Sequence, residues 1–135
     1  MRLGELPAPS MADLLRFRLT QVGDGEVEFT CTPDESMYNP LGAVHGGVVC
    51  ALLDSAIGCA VHTTLEAGFS YTSIDLQVSY LRSVTAASAP LVATARVTKP
   101  GRRVAFATGH VRDGHDRLVA SGSGSCLVMP VADAP

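Results

Sequence analysis

The sequence predicts an α+β fold in which one long antiparallel sheet lies against one central helix. The first observation is the order of the elements: a short helix and two strands, then a long helix, then a run of four strands. The second is that the long helix is apolar almost all round, which is typical of a helix inside a protein. A single sheet covers only one side of such a helix, so the pattern also predicts a partner subunit. The 135 residues fit a single domain, residues 1–135, because no linker or repeat divides them.

The first third of the chain predicts small elements joined by turns. Residues 10–15 predict a short helix with Ser10 as its N-cap. Two strands are predicted at residues 17–22 and 26–32, and the Gly23-Asp24-Gly25 segment between them is typical of a hairpin turn. Residues 33–42 are rich in turn formers and predict a loop that leads into the long helix.

The long helix and the strands after it are distinguished by a change of period. Residues 45–65 form the predicted helix, and after Gly68 the period becomes two. Apolar and polar residues then alternate, which predicts a strand with one apolar face: Ile74, Leu76, Val78 and Tyr80. Three further strands are predicted at residues 91–98, 103–112 and 117–129, and the short links between them favour antiparallel hairpins.

Charge is distributed unevenly along the chain. The net charge of −3 argues against general binding to nucleic acid. Residues 76–112 nevertheless carry six Lys or Arg residues and no acid, whereas the residues before them have a net charge of −7. This basic segment is either an ordinary surface or the seat of a small anionic ligand, and composition does not decide between the two.

The cellular location of the protein is predicted from its cysteines, its chain ends and its apolar runs. The four cysteines include no CxxC pair and no His at ligand spacing, so neither a disulfide framework nor a zinc site is expected. Reduced thiols fit a cytoplasmic protein. Residues 1–9 show no apolar run of signal-peptide length. The most apolar window, residues 48–61, is too short and too polar at its centre to span a membrane, so no membrane partner is expected.

Gly46 and Gly47 stand at the start of the long helix, where each glycine costs about 1 kcal/mol relative to alanine. Glycines here leave the backbone bare, with free N–H groups and the helix dipole behind them. Such donors polarise a carbonyl group and stabilise an oxyanion. Asn39 precedes the helix by a few residues, close enough to hold the same oxygen. The simpler alternatives are close packing for the two glycines and capping for His45.

Asp54 is the one acid in the core of the helix, flanked by Leu52-Leu53 and Ala56-Ile57. These neighbours predict a buried carboxylate, which needs a partner or a function; the alternative is a tolerated surface residue. Gly46 and Asp54 are eight residues apart, so they lie about 12 Å apart along the helix. One small reacting group cannot touch both in one chain. If the two cooperate, Asp54 comes from a second copy.

The segment from Asn39 through His45, Gly46 and Gly47 to Asp54, followed by residues 71–82 (YTSIDLQVSYLR), resembles the hotdog-fold acyl-CoA thioesterases. The branch it looks most like is that of the phenylacetic-acid-degradation and 4-hydroxybenzoyl-CoA thioesterases, and the resemblance covers residues 10–130. It implies a curved antiparallel sheet wrapped around the central helix. It also implies homodimers with two sites at the interface, often paired into homotetramers, and hydrolysis without a metal or an organic cofactor.

The resemblance assigns roles to the helix and the loop before it. Asn39 and the Gly46 N–H would hold and polarise the thioester carbonyl, with Gly47 beside them at the substrate. Asp54 of the partner subunit would act as general base or nucleophile. His45 would have a positioning role.

A further role falls on the strand after the helix. Ser73 matches the family position that helps to place the attacking water. The neighbouring Thr72 stays open as an alternative, because a shift of one residue would exchange the two.

Coenzyme A gives the basic segment a candidate use, since it carries a pyrophosphate and a 3′-phosphate. Arg82 ends a predicted strand, and Lys99, Arg102 and Arg103 lie at a hairpin tip. Arginine in such places grips phosphate with paired N–H groups. We expect these four residues to bind the substrate and Arg96 and Arg112 to be plain surface residues. The alternative is a hairpin tip that is charged for solubility.

Two other functions stay open. A hotdog hydratase or dehydratase acting on enoyl or 3-hydroxyacyl thioesters needs a His base that faces an acid, and His45 lies in a different motif context. A non-catalytic acyl-CoA-binding protein has no need of an acid within an apolar helix, so the set of Asn39, Gly46, Asp54 and Ser73 argues against it.

Overall fold

A computed structural model describes residues 8–133 of the chain. Within these residues the helices and strands follow the predicted order: α1 (Ser10–Leu14), β1 (Phe17–Gly23), β2 (Glu26–Cys31), α2 (Gly46–His62), β3 (Phe69–Tyr80), β4 (Leu91–Lys99), β5 (Val104–Arg112) and β6 (Leu118–Pro130). Short 3₁₀ turns cover Glu35–Met37, Ala86–Ser88 and Val131–Asp133. The predicted helix over residues 45–65 is therefore shorter at both ends.

The six strands form one antiparallel sheet in the order β1-β2-β4-β5-β6-β3. The sheet curves around α2, and every strand packs against the helix. This is the predicted hotdog architecture, so the fold class is confirmed. β1 and β3 are the two edges, and the 12-residue β3 has no strand on its outer side within the described chain.

The core lies between α2 and the inner face of the sheet. The side chains of Leu52, Leu53 and Ala56 are wholly buried in it. Small residues on the middle strands let α2 approach the sheet closely. The contacts of Leu53 on α2 are an example. A Cβ at Gly109 or at Gly122 would lie 3.2 or 3.3 Å from the Leu53 methyl groups. A larger residue at either strand position would crowd this contact, since protein interiors are closely packed.

One stripe of α2 is left uncovered by the sheet. Gly47, Asp54 and His62 are exposed along it, at intervals of seven and eight residues that repeat on one side of a helix. The half-covered helix agrees with the pattern in the sequence. The predicted burial of Asp54 is wrong for the single chain. Adjacent helical residues point about 100° apart, so burial of its apolar neighbours does not bury Asp54 itself.

β3 departs from the predicted alternation at a β-bulge. Its register against β6 shifts between Ser73 and Asp75, and Ile74 is the extra residue. Ile74 is 54% exposed. The prediction that Ile74 shares one face with the rest of the apolar series is therefore wrong, because the bulge reverses the alternation at this point.

The start of the chain differs from prediction in one detail. α1 has Pro9 as its N-cap and no side-chain cap, so the predicted Ser10 cap is wrong. The Pro9 carbonyl accepts the N–H groups of Ala12 and Asp13, which makes Ser10 the first helical residue. Residues 1–7, on which the predicted absence of a targeting segment mainly rests, lie outside the described residues. Across residues 8–133 no helix has the length and apolar character needed to cross a membrane.

Candidate active site

A cleft of about 360 Å³ opens at the N-terminal end of α2. The loop before the helix forms one wall, and the end of β3 with the residues after it forms the other. Most of the lining is apolar, and its polar groups include Asn39, Gly46, Tyr80 and Arg82. Three residues that the sequence predicts for the substrate, Asn39, Gly46 and Arg82, therefore share one cleft.

The Asn39 side chain is fixed by its own loop. Its Oδ1 accepts hydrogen bonds from the N–H groups of Leu41 (2.9 Å) and Ala43 (3.2 Å). Because Oδ1 takes these two donors, the other end of the amide is the NH₂ group. That group has no acceptor among residues 8–133, so it is a donor available to the cleft.

Gly46 brings a second donor to the same cleft. Its N–H has no acceptor within the described chain, as expected for the first residue of a helix, and it lies at the positive end of the helix dipole. The Tyr80 hydroxyl donates to the Gly46 carbonyl at 2.8 Å. A Cβ at Gly46 would lie 3.1 Å from the Tyr80 ring. The two alternatives for Gly46 are therefore both present: it packs closely against Tyr80, and its N–H is a free donor.

His45 caps the N-terminus of α2. It is the N-cap residue, and its Nδ1 accepts a hydrogen bond of 2.8 Å from the Gly47 N–H. A Cβ at Gly47 would lie 2.8 Å from the same nitrogen, so the cap needs glycine there. The Gly47 N–H is thus engaged within the chain, unlike that of Gly46, and the capping alternative describes His45 correctly.

Asp54 and Ser73 meet at a different place on the helix. The Ser73 hydroxyl donates to Asp54 Oδ1 at 2.9 Å and so joins β3 to the middle of α2. Both residues are exposed in the single chain. Thr72 makes no side-chain hydrogen bond to any of the described residues, so of the two alternatives it is Ser73 that contacts the acid.

The pKa values of two groups near Asp54, the Cys126 thiol and the Tyr71 hydroxyl, are raised. Burial raises the pKa of the Cys126 thiol to about 11, and the carboxylates of Asp54 and Asp75 add to the increase. Burial also raises the pKa of the Tyr71 hydroxyl above its usual range, with further contributions from Cys59 and Cys126. Neither group is a nucleophile near neutral pH, since the thiolate and not the thiol reacts. Of these three residues, Asp54, which Ser73 contacts, is the candidate reactive group at this position.

The two groups of candidate residues lie eight positions apart on α2. At about 1.5 Å per residue, Gly46 and Asp54 are about 12 Å apart along the helix axis. The open donors of Asn39 and Gly46 lie at the helix N-terminus, and the Asp54–Ser73 pair lies at its middle. Within one chain, the structure does not bring the predicted carbonyl-binding residues to the predicted base.

The four cations predicted to bind phosphate differ from the other basic residues. Arg96 and Arg112, expected as plain surface residues, form ion pairs with Glu26 and Asp116. Four cations have no carboxylate at ion-pair distance in the described part of the chain: Arg82, Lys99, Arg102 and Arg103. All four are exposed. Among residues 8–133, the cations of the basic segment that have no ion-pair partner are therefore the four predicted to bind phosphate.

These free cations do not lie together in one chain. Arg82 lines the cleft at the start of α2. Arg102 lines a different cleft, with Leu65 and Phe69, beyond the C-terminal end of the same helix. The predicted phosphate ligands are thus divided between the two ends of α2. The predicted catalytic residues are divided as well, between its N-terminus and its middle.

Two residues near these groups are not singled out by the sequence. Tyr80 is identified there only as an apolar strand residue, yet its hydroxyl holds the first carbonyl of α2. Asp75 Oδ1 accepts hydrogen bonds from the N–H and the hydroxyl of Ser125 on β6. Aspartate is depleted in strands, and that was the one available sign that Asp75 has a particular task.

Comparison with known proteins identifies the family. Residues 41–120 match the thioesterase superfamily. The chain is 32% identical over 130 residues to the Halobacterium salinarum protein named "Putative esterase VNG_1336C", which covers 88% of this chain and 84% of that protein. It is 28% identical over 108 residues to acyl-coenzyme A thioesterase 13 of Homo sapiens, covering 79% of this chain and 76% of that one.

A solved structure agrees with these sequence matches. A phenylacetic acid degradation-related protein from Ralstonia eutropha superposes with a TM-score of 0.84 at 32% identity, covering 92% of this chain and 93% of that chain. The chain belongs to the thioesterase superfamily. This confirms the family resemblance and the predicted enzyme class, a thioester hydrolase.

Proposed function

We propose that the protein is an acyl-CoA thioesterase that hydrolyses an acyl- or aryl-CoA ester to the free acid and CoA in sites shared by two copies of the chain. The observation that carries this proposal is the division of the site. Two open donors lie at the start of α2, and the acid with its hydroxyl partner lies about 12 Å further along. The relative named acyl-coenzyme A thioesterase 13 supports the substrate class.

In the proposed reaction the thioester carbonyl oxygen accepts hydrogen bonds from the Asn39 amide and the Gly46 N–H. Asp54 of the partner subunit takes a proton from a water molecule, which the partner's Ser73 helps to place, and the water oxygen attacks the carbonyl carbon. The two donors stabilise the oxyanion that forms. When the C–S bond breaks, CoA leaves as the thiolate and takes up a proton, and the free acid remains.

A second form of the reaction uses Asp54 as the nucleophile. Its carboxylate then bonds to the carbonyl carbon, the C–S bond breaks, and water hydrolyses the resulting anhydride. The same donors stabilise the oxyanion in both forms, so the roles of Asn39 and Gly46 are common to them.

The second copy is proposed to join along β3. This strand is a 12-residue edge, and its exposed side chains include Phe69, Ile74 and Tyr80. A long apolar edge favours pairing with another strand. Antiparallel pairing turns the second chain end for end, which lets the partner's Asp54 approach the cleft at Gly46. The uncovered stripe of α2 needs the same cover. The homotetramer that the family resemblance implies would pair two such dimers.

The free cations are proposed to bind the phosphates of CoA. Arg82 lines the cleft that would hold the thioester and is exposed, so it would bind the pyrophosphate, the phosphate group of CoA nearest to the thioester. Arg102, Arg103 and Lys99 lie at the other end of α2, so they would reach the same CoA molecule from the second copy. The free thiols of the chain fit the proposed cytoplasmic location.

The test of this proposal is thiol release from a panel of aryl- and alkyl-CoA esters by the wild-type protein and by Asp54→Asn. We expect the variant to lose turnover and to keep acyl-CoA binding, because the amide has the same size but no basicity. Asp24→Asn, in the β1–β2 turn, is the matched control and should retain full activity. Hydrolysis by Asp54→Asn at near-wild-type rates would contradict the proposal.

The same panel separates the other functions. Hydration of an enoyl-CoA without thiol release would show a hydratase, and binding without turnover would show an acyl-CoA-binding protein. A single turnover in ¹⁸O-labelled water then distinguishes the two forms of hydrolysis. A nucleophilic Asp54 acquires the label, whereas a general base leaves it in the product acid.

A further inference from the structure

We propose that Asp75 is a positioning residue for the hydrolysis, because it holds the β-bulge that turns Ser73 toward Asp54. The proposal rests on the proposed function, in which Asp54 and Ser73 act together on water. It concerns a residue that touches neither the substrate nor the reacting atoms.

The side chains of β3 change direction at the bulge. Beyond the bulge, Leu76 and Val78 face α2, since they approach the inner faces of Gly124 and Gly122 beside Ile57 and Leu53. In an unbroken strand, side chains alternate strictly, so a residue three positions before Leu76 would face outward. Ser73 is that residue, yet it contacts α2.

The β-bulge causes this exception. The register against β6 shifts by one residue between Ser73 and Asp75, so two residues of β3 face one residue of β6. A bulge of this kind shifts the alternation by one residue. Ser73 before the bulge and Leu76 after it therefore face the same side of the sheet. Without it, Thr72 would face the helix in place of Ser73, and the hydrogen bond to Asp54 could not form.

The Asp75 carboxylate stabilises the bulge. An extra residue breaks the ladder of backbone hydrogen bonds and leaves peptide groups without their usual partners. Asp75 Oδ1 accepts the Ser125 N–H at 3.0 Å and the Ser125 hydroxyl at 2.7 Å. Its carboxylate therefore replaces a backbone acceptor at the irregular position and ties β3 to β6 on the outer side of the sheet.

Loss of the Asp75–Ser125 contact would affect the reaction. If this tie is lost, the bulge can slip along β3, and Ser73 moves away from Asp54 while the fold around it persists. A misplacement of about 1 Å in a positioned group costs on the order of a hundredfold in rate. We therefore expect Asp75→Ala to lower kcat by roughly tenfold to a hundredfold, with a small change in KM.

The decisive experiment is a double-mutant cycle between Asp75→Ala and Ser73→Ala, measured as single turnovers with enzyme in excess so that slow variants stay measurable. We expect the loss caused by Asp75→Ala to disappear when Ser73 is already alanine, because the two residues act through one contact. Equal losses in both backgrounds would overturn the proposal. So would wild-type kcat in Asp75→Ala.

Three further variants make the outcome specific. Asp75→Asn keeps an acceptor for Ser125 and should retain kcat within about threefold. Gln77→Ala, two residues along on the same strand face, is the matched control and should retain wild-type kcat. If Asp75→Ala does not fold, Ser125→Ala removes one of the two donors and replaces it in the cycle, with a smaller loss that also vanishes beside Ser73→Ala.

The same series distinguishes this inference from the proposed function. If Asp54→Asn is inactive and the Asp75 loss is independent of Ser73, only the positioning role is wrong. If Asp54→Asn is active, the proposed function itself fails.

Discussion

Ser73 Oγ donates a hydrogen bond of 2.9 Å to Asp54 Oδ1, although the two residues are 19 positions apart and lie on different elements. Asp54 lies on the stripe of α2 that the sheet leaves uncovered, and Ser73 lies on the edge strand beside it. The pair is therefore open on the side where a second chain would pack. The donors at the start of α2 belong to a separate cleft of the same chain.

His45 is expected to act as a helix cap rather than as an acid or base. His45→Ala leaves the Gly47 N–H without its acceptor and should destabilise the protein by about 1 kcal/mol, the usual cost of losing an N-cap. Fraying of the first turn would also displace the Gly46 N–H, so kcat should fall. Urea unfolding and steady-state kinetics measure the two effects.

His45→Asn is the informative companion of that variant. Asparagine is among the best N-cap residues, so both stability and most of kcat should return. If His45→Asn is as inactive as Asp54→Asn while it remains folded, His45 has an acid–base role and the capping account is wrong.

Substitution of the free cations at the hairpin tip is expected to change the affinity for the substrate. Arg102→Glu with Arg103→Glu should raise KM for CoA esters by roughly fivefold or more, since each exposed charge contact is worth up to about 1 kcal/mol. kcat should change little, because these residues lie far from the thioester. Arg96→Glu is the matched control, since Arg96 is in the same basic segment but pairs with Glu26. An unchanged KM in the double variant would show that the hairpin tip is charged for solubility and does not bind CoA.

The protein is expected to lose stability in acid because of Asp113. Burial raises the pKa of its carboxyl, but hydrogen bonds from the Arg117 side chain and from the N–H groups of Arg117 and His115 outweigh burial and lower the pKa to about 2. A carboxyl whose pKa is lower in the folded chain stabilises the fold above its ordinary pKa of 3.8. This contribution is lost as the pH falls through about 2.

Urea midpoints as a function of pH measure this contribution. Asp113→Asn should be less stable than the wild type at neutral pH, and the difference should close between about pH 4 and pH 2. Asp116→Asn, an exposed neighbour in the same turn, should show a smaller difference at neutral pH. A difference for Asp113→Asn that is constant with pH would contradict the account.

Most of the fold was predictable because its signals are local. The apolar helix, the change of period after Gly68 and the short links between the later strands specify the order of elements. The β-bulge at Ile74 was not predictable, since a shift of register depends on how β3 meets β6 and not on β3 alone. The same holds for the exposure of Asp54, which follows from the helix face that the sheet happens to cover.

The sequence singles out the residues of the candidate site, but it does not specify most of their contacts. Asn39, Gly46 and Asp54 follow from residue types at a fixed spacing around a helix start. The cap from His45 to Gly47 was one of two alternatives, and only the folded loop decides between them. Asp75 and Tyr80 act through partners that are distant in sequence, so no local pattern identifies them.

Each active site is proposed to take Asn39 from one chain and Asp54 from another, and a mixed dimer tests this shared site most directly. Asn39→Ala and Asp54→Asn chains carrying different affinity tags are co-expressed and purified through both tags. Each mixed dimer then has one site with both substitutions and one site with neither, so thiol release should return to about half the wild-type rate. Each variant alone should remain inactive. Mixed dimers that are as inactive as either parent would contradict a shared site.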